Sequence, residues 1–530
     1  MTYNGKQTTY AGTFVKSQVI TPTPNAEWKV SRVLITTNEQ PYKKPDKNYM
    51  GWFSSADEVL EYFTKTSKTY KLVKHFFQQQ GRNNPKLNDA YVLIYYVDIV
   101  DATCATMTTE NLASRLSNFA PTGDDYYFKG KLNITSGNGS NKTIEIKLTK
   151  QPTMQQLATA LNQTDCEAYF EVVDVDYEDQ ESGETLTRQE LKVSSLFAGS
   201  QSQLVIEAVT EQNVNDLGSA NFLNLISTTA TAGADATNNE TSYFSDILKE
   251  LTKDYGFNPR TLLTTCILDY AKLKAINDEL ASLYQDEDEN KCCQFITSLS
   301  GKDENDAFNG NFATQPLYLT CINAGYTKEA SLYVAGAICA GFVSVDILEN
   351  ERNNPEWSNI ILDEDVYTNQ KGLSNKEAND IVKDGYACAL QFMSEGTGLV
   401  VRGSEKGWDI AMHSCYIQIV NKIPVEIGNL MKNVKNKSKS LPVKSLVLLT
   451  LKSFGKTIFN NNFLSNNPRV DDTVFTSLTE ERQREIQDIG WSPYIKPLNQ
   501  IKGNKIPYEI AICLSGIMAS FNGIYEITNN

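Results

Sequence analysis

His75, His413 and a scatter of ten cysteines are the residues of this chain best suited to nucleophilic or metal chemistry. His75 stands beside Phe76 and Phe77 in a helical pattern, where a histidine is usually a packing residue. His413 and Cys415 are two apart, which puts them on different helix faces and makes a poor dyad. No pair of cysteines is C-x-x-C, and the adjacent Cys292 and Cys293 do not easily bridge. Buried free thiols are the plainer reading, and two histidines are too few for a zinc site. Three acidic stretches, at residues 177–184, 285–290 and 362–367, lack the alternating oxygen ligands and central glycine of a calcium loop. They read as solvated loops. "GSEKGWD" (403–409) resembles the setting of an anion site, but it lacks the glycine spacings of a phosphate cradle. No G-x-S-x-G occurs, and nothing singles out two carboxylates for glycosidase work. Catalytic residues, metal ligands and cofactor are therefore expected to be none.

The elements around these residues are more informative. Residues 51–77, "GWFSSADEVLEYFTKTSKTYKLVKHFF", predict two short helices. Ser55 with Glu58 reads as a capping box. Ala56, Val59, Leu60 and Phe63 form one apolar stripe, and Tyr70, Val73, Phe76 and Phe77 form the next. Before them, residues 28–37 predict a strand. After them, residues 90–100 are apolar on both faces, as in a covered sheet. Strand, helices, strand is a crossover unit and implies an α/β layer.

Residues 103–240 change character. Strand-like runs at 127–135, 143–148, 166–175 and 203–208 surround one amphipathic helix at 154–161, and "SGNGSN" (136–141) predicts a hairpin. The α/β pattern then resumes. Helices are expected at 243–255, 269–284, 327–342, 379–392, 408–422 and 427–434. Strands are expected at 261–268, 292–299, 317–323, 398–404, 505–515 and 519–530. The fold class is mixed α/β (α+β) and multidomain. Residues 1–27 are an N-terminal arm, 28–102 with 243–395 an α/β middle domain, 103–242 a β-rich insertion, and 396–530 a C-terminal domain.

A length of 530 residues predicts about three domains. The net charge of -15 argues against a general nucleic-acid binder. The lysines at 432, 435, 437, 439 and 444 make a local basic patch that reads first as a solvated loop. Residues 1–16 lack a signal-peptide pattern, and no apolar run is long enough to cross a bilayer, so a soluble protein made in cytoplasm is expected.

Residues 53–79 resemble the tail sheath proteins of contractile-tailed bacteriophages. The matching positions are Phe53, Ser55, Glu58, Val59, Phe63, Tyr70, Phe76 and Phe77. "DLGSANFLNLISTTATAGADAT" (216–237) is similar to that family's closing of its β-rich module. "YFSDILKELTKDYGFNPRTLLTTCI" follows it, and "KGWDIAMHSCYIQIVNKIP" (406–424), led by Trp408, is similar to a helix ending in a K-I-P step. The resemblance implies an α/β sheath core with strand-donating arms. It implies a structural subunit of the virion tail, assembled in the host cytoplasm as six-fold rings around a tail tube, with baseplate and tail terminator as further partners and no nucleic acid or membrane. The working residues would be Phe14, Val15, Val19 and Ile20 in one arm and Ile524, Tyr525 and Ile527 in the other. The lysine patch at 432–444 would be a candidate contact with an acidic tube. The alternatives are another tail component or a tail-associated cell-wall hydrolase.

Overall fold

The computed structural model describes residues 32–43, 49–83, 90–110, 112, 127–137, 139–149, 152–180, 182–208, 230–238, 246–247, 250, 261–285, 294–301, 304, 319–323, 325–343, 346–348, 360–361, 373–383, 387–391, 398–402, 410–432, 441–500, 505–514 and 517–526. The chain opens with β1 (Arg32–Thr37), β2 (Tyr49–Phe53), α1 (Ala56–Val59), α2 (Lys68–Asn83) and β3 (Tyr91–Tyr96). β3 lies parallel to β1, with Val33 opposite Val92 and Ile35 opposite Ile94, so the expected crossover unit is present. β2, which the sequence did not single out as a strand, runs antiparallel on the far side of β3.

A run of β4 (Ile99–Val100), β5 (Cys104–Thr108), β6 (Tyr127–Gly137), β7 (Ser140–Thr149), α3 (Met154–Asn162), β8 (Ala168–Glu178), β9 (Thr185–Ala198), β10 (Gln203–Ala208) and β11 (Thr237–Asn238) follows. β5 to β10 fold into two three-stranded sheets, β10-β6-β7 and β5-β9-β8, while β4 pairs with β11. The hairpin expected at 136–141 forms, and Gly139 takes the left-handed conformation (φ 92°) that closes it. α3 opens with the capping box Thr153 and Gln156, and it buries Leu157, Ala158 and Leu161 against these sheets.

β12 (Thr261–Thr264), α4 (Tyr270–Gln285), β13 (Gln294–Leu299), β14 (Leu319–Asn323), α5 (Lys328–Val343), β15 (Ile360–Ile361), α6 (Asn375–Lys383), β16 (Ala387–Gln391) and β17 (Gly398–Arg402) come next. With the first strands they complete a nine-stranded sheet, in the order β15-β17-β16-β14-β13-β12-β1-β3-β2. Its six central strands are parallel, with antiparallel strands at both edges. Both faces are covered. Leu34 and Leu93 join one core, while Val33, Ile35, Val92 and Ile94 join another beneath α2 and α5. β17 belongs to this sheet, although a boundary was expected at 395.

Two helix expectations are corrected. Residues 379–392 are not one helix. α6 ends at Lys383, and Ala387–Gln391 is a strand beside β14 and β17. α7 (Ile410–Lys432) is a single helix that runs through Pro424, where two helices were expected. It leads to α8 (Leu441–Asn460), α9 (Thr473–Ser477), α10 (Glu480–Ile489), β18 (Trp491–Ile495), a 3-10 turn at Leu498–Gln500, β19 (Lys505–Leu514) and β20 (Ile517–Glu526). The last three strands form the sheet β18-β19-β20. One face of β19, with Ile506, Ile510 and Ile512, shares the core of Leu34 and Leu93. Ala511 and Cys513, on the other face, pack with Phe475 and Ile486.

α8 crosses this sheet at Gly455, where an added Cβ would stand 2.2 Å from the ring of fully buried Trp491. Both partners are rigid, so Gly455→Ala is expected to cost about 1–3 kcal/mol or more in denaturant unfolding. Gly51→Ala, at an open position, should change stability by no more than about 1 kcal/mol.

Candidate functional site

The order of the parallel strands fixes where a site would lie. From β1 the chain moves to β3 on one side and later to β12 on the other. The carboxyl ends of β1 and β12 therefore flank a switch point, the usual place for a ligand in an open α/β sheet. Threonines line it. Thr265 Oγ1 lies 2.8 Å from Thr37 Oγ1, which lies 2.7 Å from Thr69 Oγ1.

The anion positions at this edge are filled by the protein's own carboxylates. Glu39 accepts from the backbone N–H groups of Lys68 (2.9 Å) and Thr69 (2.8 Å) and from Thr69 Oγ1 (2.7 Å). It thus takes the N-terminus of α2, where a bound phosphate would otherwise sit. Asp101, just after β4, accepts from Ile267 N and Asn38 Nδ2, each at 2.8 Å, and from Lys68 Nζ at 2.6 Å. Burial alone would lower the pKa of Lys68, but the bond and charge of Asp101, with Glu39 nearby, hold the ammonium above the ordinary lysine value.

A cavity of about 820 Å³ lies along this edge, lined by Asp101, by Cys104 and Lys192 of the β5-β9-β8 sheet, and by the first turn of α5. Its charged groups have partners. Lys192 meets Glu171 at 2.8 Å, the Tyr333 hydroxyl donates to Glu329 at 2.7 Å, and the Lys71 ammonium sits 5.8 Å from the Tyr333 ring centroid. Beside it, Lys328 Nζ donates to Glu304 at 2.6 Å, with both side chains buried. Burial raises the Glu304 pKa, against the opposing pull of Lys328 and of the Ser300 N–H. Burial also pushes the Cys104 thiol up, so this cysteine is held as the weakly nucleophilic thiol. No histidine lines the cavity among the described residues. No group of three or more His, Cys, Asp or Glu able to hold a metal occurs among them either, and no helix among them is long and apolar enough to cross a membrane. Structurally, the arrangement can fasten elements together.

The cavity lies where the chain crosses between the central sheet and the β-rich sheets. It crosses twice, and the two passages pair with each other. Val100 is opposite Thr237, Thr103 opposite Ala234, and Thr106 opposite Thr231. Asp269 accepts from Ala236 N at 2.7 Å, and Asp235 accepts from both the N–H and the hydroxyl of Ser200. A Cβ on Gly233 would come within 2.4 Å of Gly199 O and 2.7 Å of Thr103 O, so the crossing closes only around glycine.

The residues selected from sequence fall into three groups. Phe53, Val59, Phe63 and Phe76 are buried under α1, α2 and α5, with Phe77 half-buried and edge-on to Phe76 at 5.1 Å. Ser55 is the N-cap of α1 by backbone, but its side chain makes no capping bond. Glu58 instead accepts from the N–H and hydroxyl of Ser54, which hold its carboxyl below the usual range. Ile524 and Tyr525 lie in β20, opposite Pro507 and Ile506 of β19, so this segment is paired within its own chain. Phe14, Val15, Val19, Ile20, Trp408 and Ile527 lie outside the described residues, as do residues 286–290, 362–367 and 403–409. His75 is fully buried, with its ring 5.6 Å from Tyr333. Sequence reasoning missed Glu39, Asp101, Glu304 and Lys328. Glu39 and Asp101 just beyond expected strand ends were the available signal. No protein-family model matches the sequence, and no curated protein matches it significantly.

A buried pair such as Glu304 and Lys328 is costly to break from one side. Glu304→Gln and Lys328→Met are each expected to cost about 3–5 kcal/mol, and the double variant clearly less than their sum. A denaturant double-mutant cycle measures the coupling.

Proposed function

We propose that this chain is a structural subunit, the sheath protein of a contractile phage tail. It would polymerise as stacked hexameric rings around a tail tube and contract to drive the tube through the host envelope. In this reading the nine-stranded layer is the sheath core, the β-rich sheets are an inserted domain, and the ends of the chain are strand-donating arms. Tube, baseplate and tail terminator are its partners, and it has no catalytic role.

The observation that carries the reading is the outer edge of β20. Among the described residues this ten-residue strand pairs only with β19. A strand that long with one row of N–H and C=O groups unpaired among the described residues suits strand addition from another copy. Two further features support it. The anion positions at the switch point are occupied by Glu39 and Asp101, as suits a scaffold. The resemblance at residues 53–79 falls on residues that pack the core, and a family of structural subunits would share such residues. Residues 517–526 are paired in their own chain, so in this reading the C-terminal segment accepts a strand instead of donating one. The donated strand would then come from residues 14–20 of a neighbour and lie on β20.

Negative-stain electron microscopy of the purified, concentrated chain should show striated tubes or discs of uniform width. A chain that remains monomeric at high concentration would overturn the reading. Deleting residues 1–22 should leave a folded chain that no longer forms tubes, and tubes from the truncated chain would remove the arm from the mechanism.

A further inference from the structure

We propose that the acidic ribbon at the end of β8 and β9 docks on the lysine-bearing face of α8 in a second copy of this chain. The inference rests on the polymeric reading above and names one contact within that polymer.

The ribbon is a definite structural element. β5 pairs with β9 only as far as Thr108 opposite Lys192, with a last bond from Thr109 N to Leu191 O. β8 and β9 continue alone from Val173 opposite Glu190 to Glu178 opposite Thr185. These six rungs extend about 20 Å. Their tip is a closed turn. Gly183 N donates to Asp179 O, Asp179 N donates to Glu184 O, and Gly183 has φ 68°. The two faces differ. Asp174, Asp176, Glu178, Thr185, Thr187 and Gln189 are all exposed on one side. On the other, Arg188 stacks on Tyr177 at 4.7 Å beside Leu186, which is 40% exposed. Residues 174–184 carry six carboxylates and no Lys or Arg.

Its complement lies in the same sequence. From residue 427 to 470 there are seven lysines, one arginine and no acid, in a chain of net charge -15. α8 lies within this stretch. It exposes Leu449 (65%) and Leu446 (37%) along with Lys456, and Lys444 is half-buried. Copies of so acidic a chain repel one another on average, so their association needs local patches of opposite sign. The acidic face of the ribbon and the lysines of α8 supply such a pair. A contact between two different surfaces of one chain is heterologous, which builds rings or open filaments.

The test uses the full chain and two sets of charge reversals. D174K/D176K/E178K alters only exposed side chains, so the melting temperature should stay close to that of the parent. The concentration needed for assembly, read by sedimentation velocity and microscopy, should rise at least about tenfold. K444E/K456E should do the same. Combining both sets should restore assembly to near the parent level, and the parent's assembly should weaken with salt. If the parent forms tubes and the ribbon variant forms them equally well, or the combined variant is no better than either set alone, the contact is wrong while the sheath reading stands. A parent chain that never assembles would sink both.

Discussion

The carboxylate of Asp101 is the interaction on which the other parts depend. It accepts bonds from the β1 loop through Asn38, from the start of α2 through Lys68, and from the loop after β12 through Ile267. These are three segments distant in sequence, and none is covalently close to the others. Asp101 also stands at the first passage into the β-rich sheets, next to Ala102, whose N–H donates to Ile267 O. One charged group thus sets the carboxyl edge of the sheet, the start of α2 and the exit of the chain. Placing a carboxylate here requires a cation close by, and Lys68 at 2.6 Å meets that need.

Much of the architecture was legible because the hydrophobic pattern was strong. Residues 90–100 were apolar on both faces, and Leu93 and Val92 do face opposite cores. The helices α3, α4 and α5 fell close to their expected bounds because their apolar stripes are long. What was missed has physical causes. "ACALQ" is only five residues, four of them apolar, and a run that short fits a helix or a buried strand equally well. β9 was hidden by its polar outer half, Thr185, Thr187 and Gln189, which faces solvent. Pro424 suggested a helix boundary, but the flanking apolar residues of α7 bury Val420, Ile423 and Ile427. Packing there outweighs the lost backbone bond.

The candidate site was scarcely legible. Histidine, cysteine and glycine motifs carry spacing signatures, whereas this edge is built from Glu39, Asp101, Glu304, Lys68 and Lys328. Charged residues this common have no spacing signature, and their partners lie up to 166 positions away in sequence. The opening helical segment shows the same limit at smaller scale. Ser55 and Glu58 were expected to form a capping box, yet in the single-turn α1 the Ser55 side chain makes no capping bond, and the Glu58 carboxylate accepts from Ser54.

The paired crossing between the central sheet and the β-rich sheets has a mechanical meaning. A domain hung from one strand can swivel about it, and any pull passes through a single backbone. Here residues 99–106 and 231–238 leave and return side by side, joined at rungs along their length. Tension between the two units would divide over two covalent chains. Torsion would have to break rungs before either chain could rotate. The β-rich sheets are therefore mounted as a bracket is, on two fixings, and a torque applied at their far end would be delivered to the edge that holds Asp101.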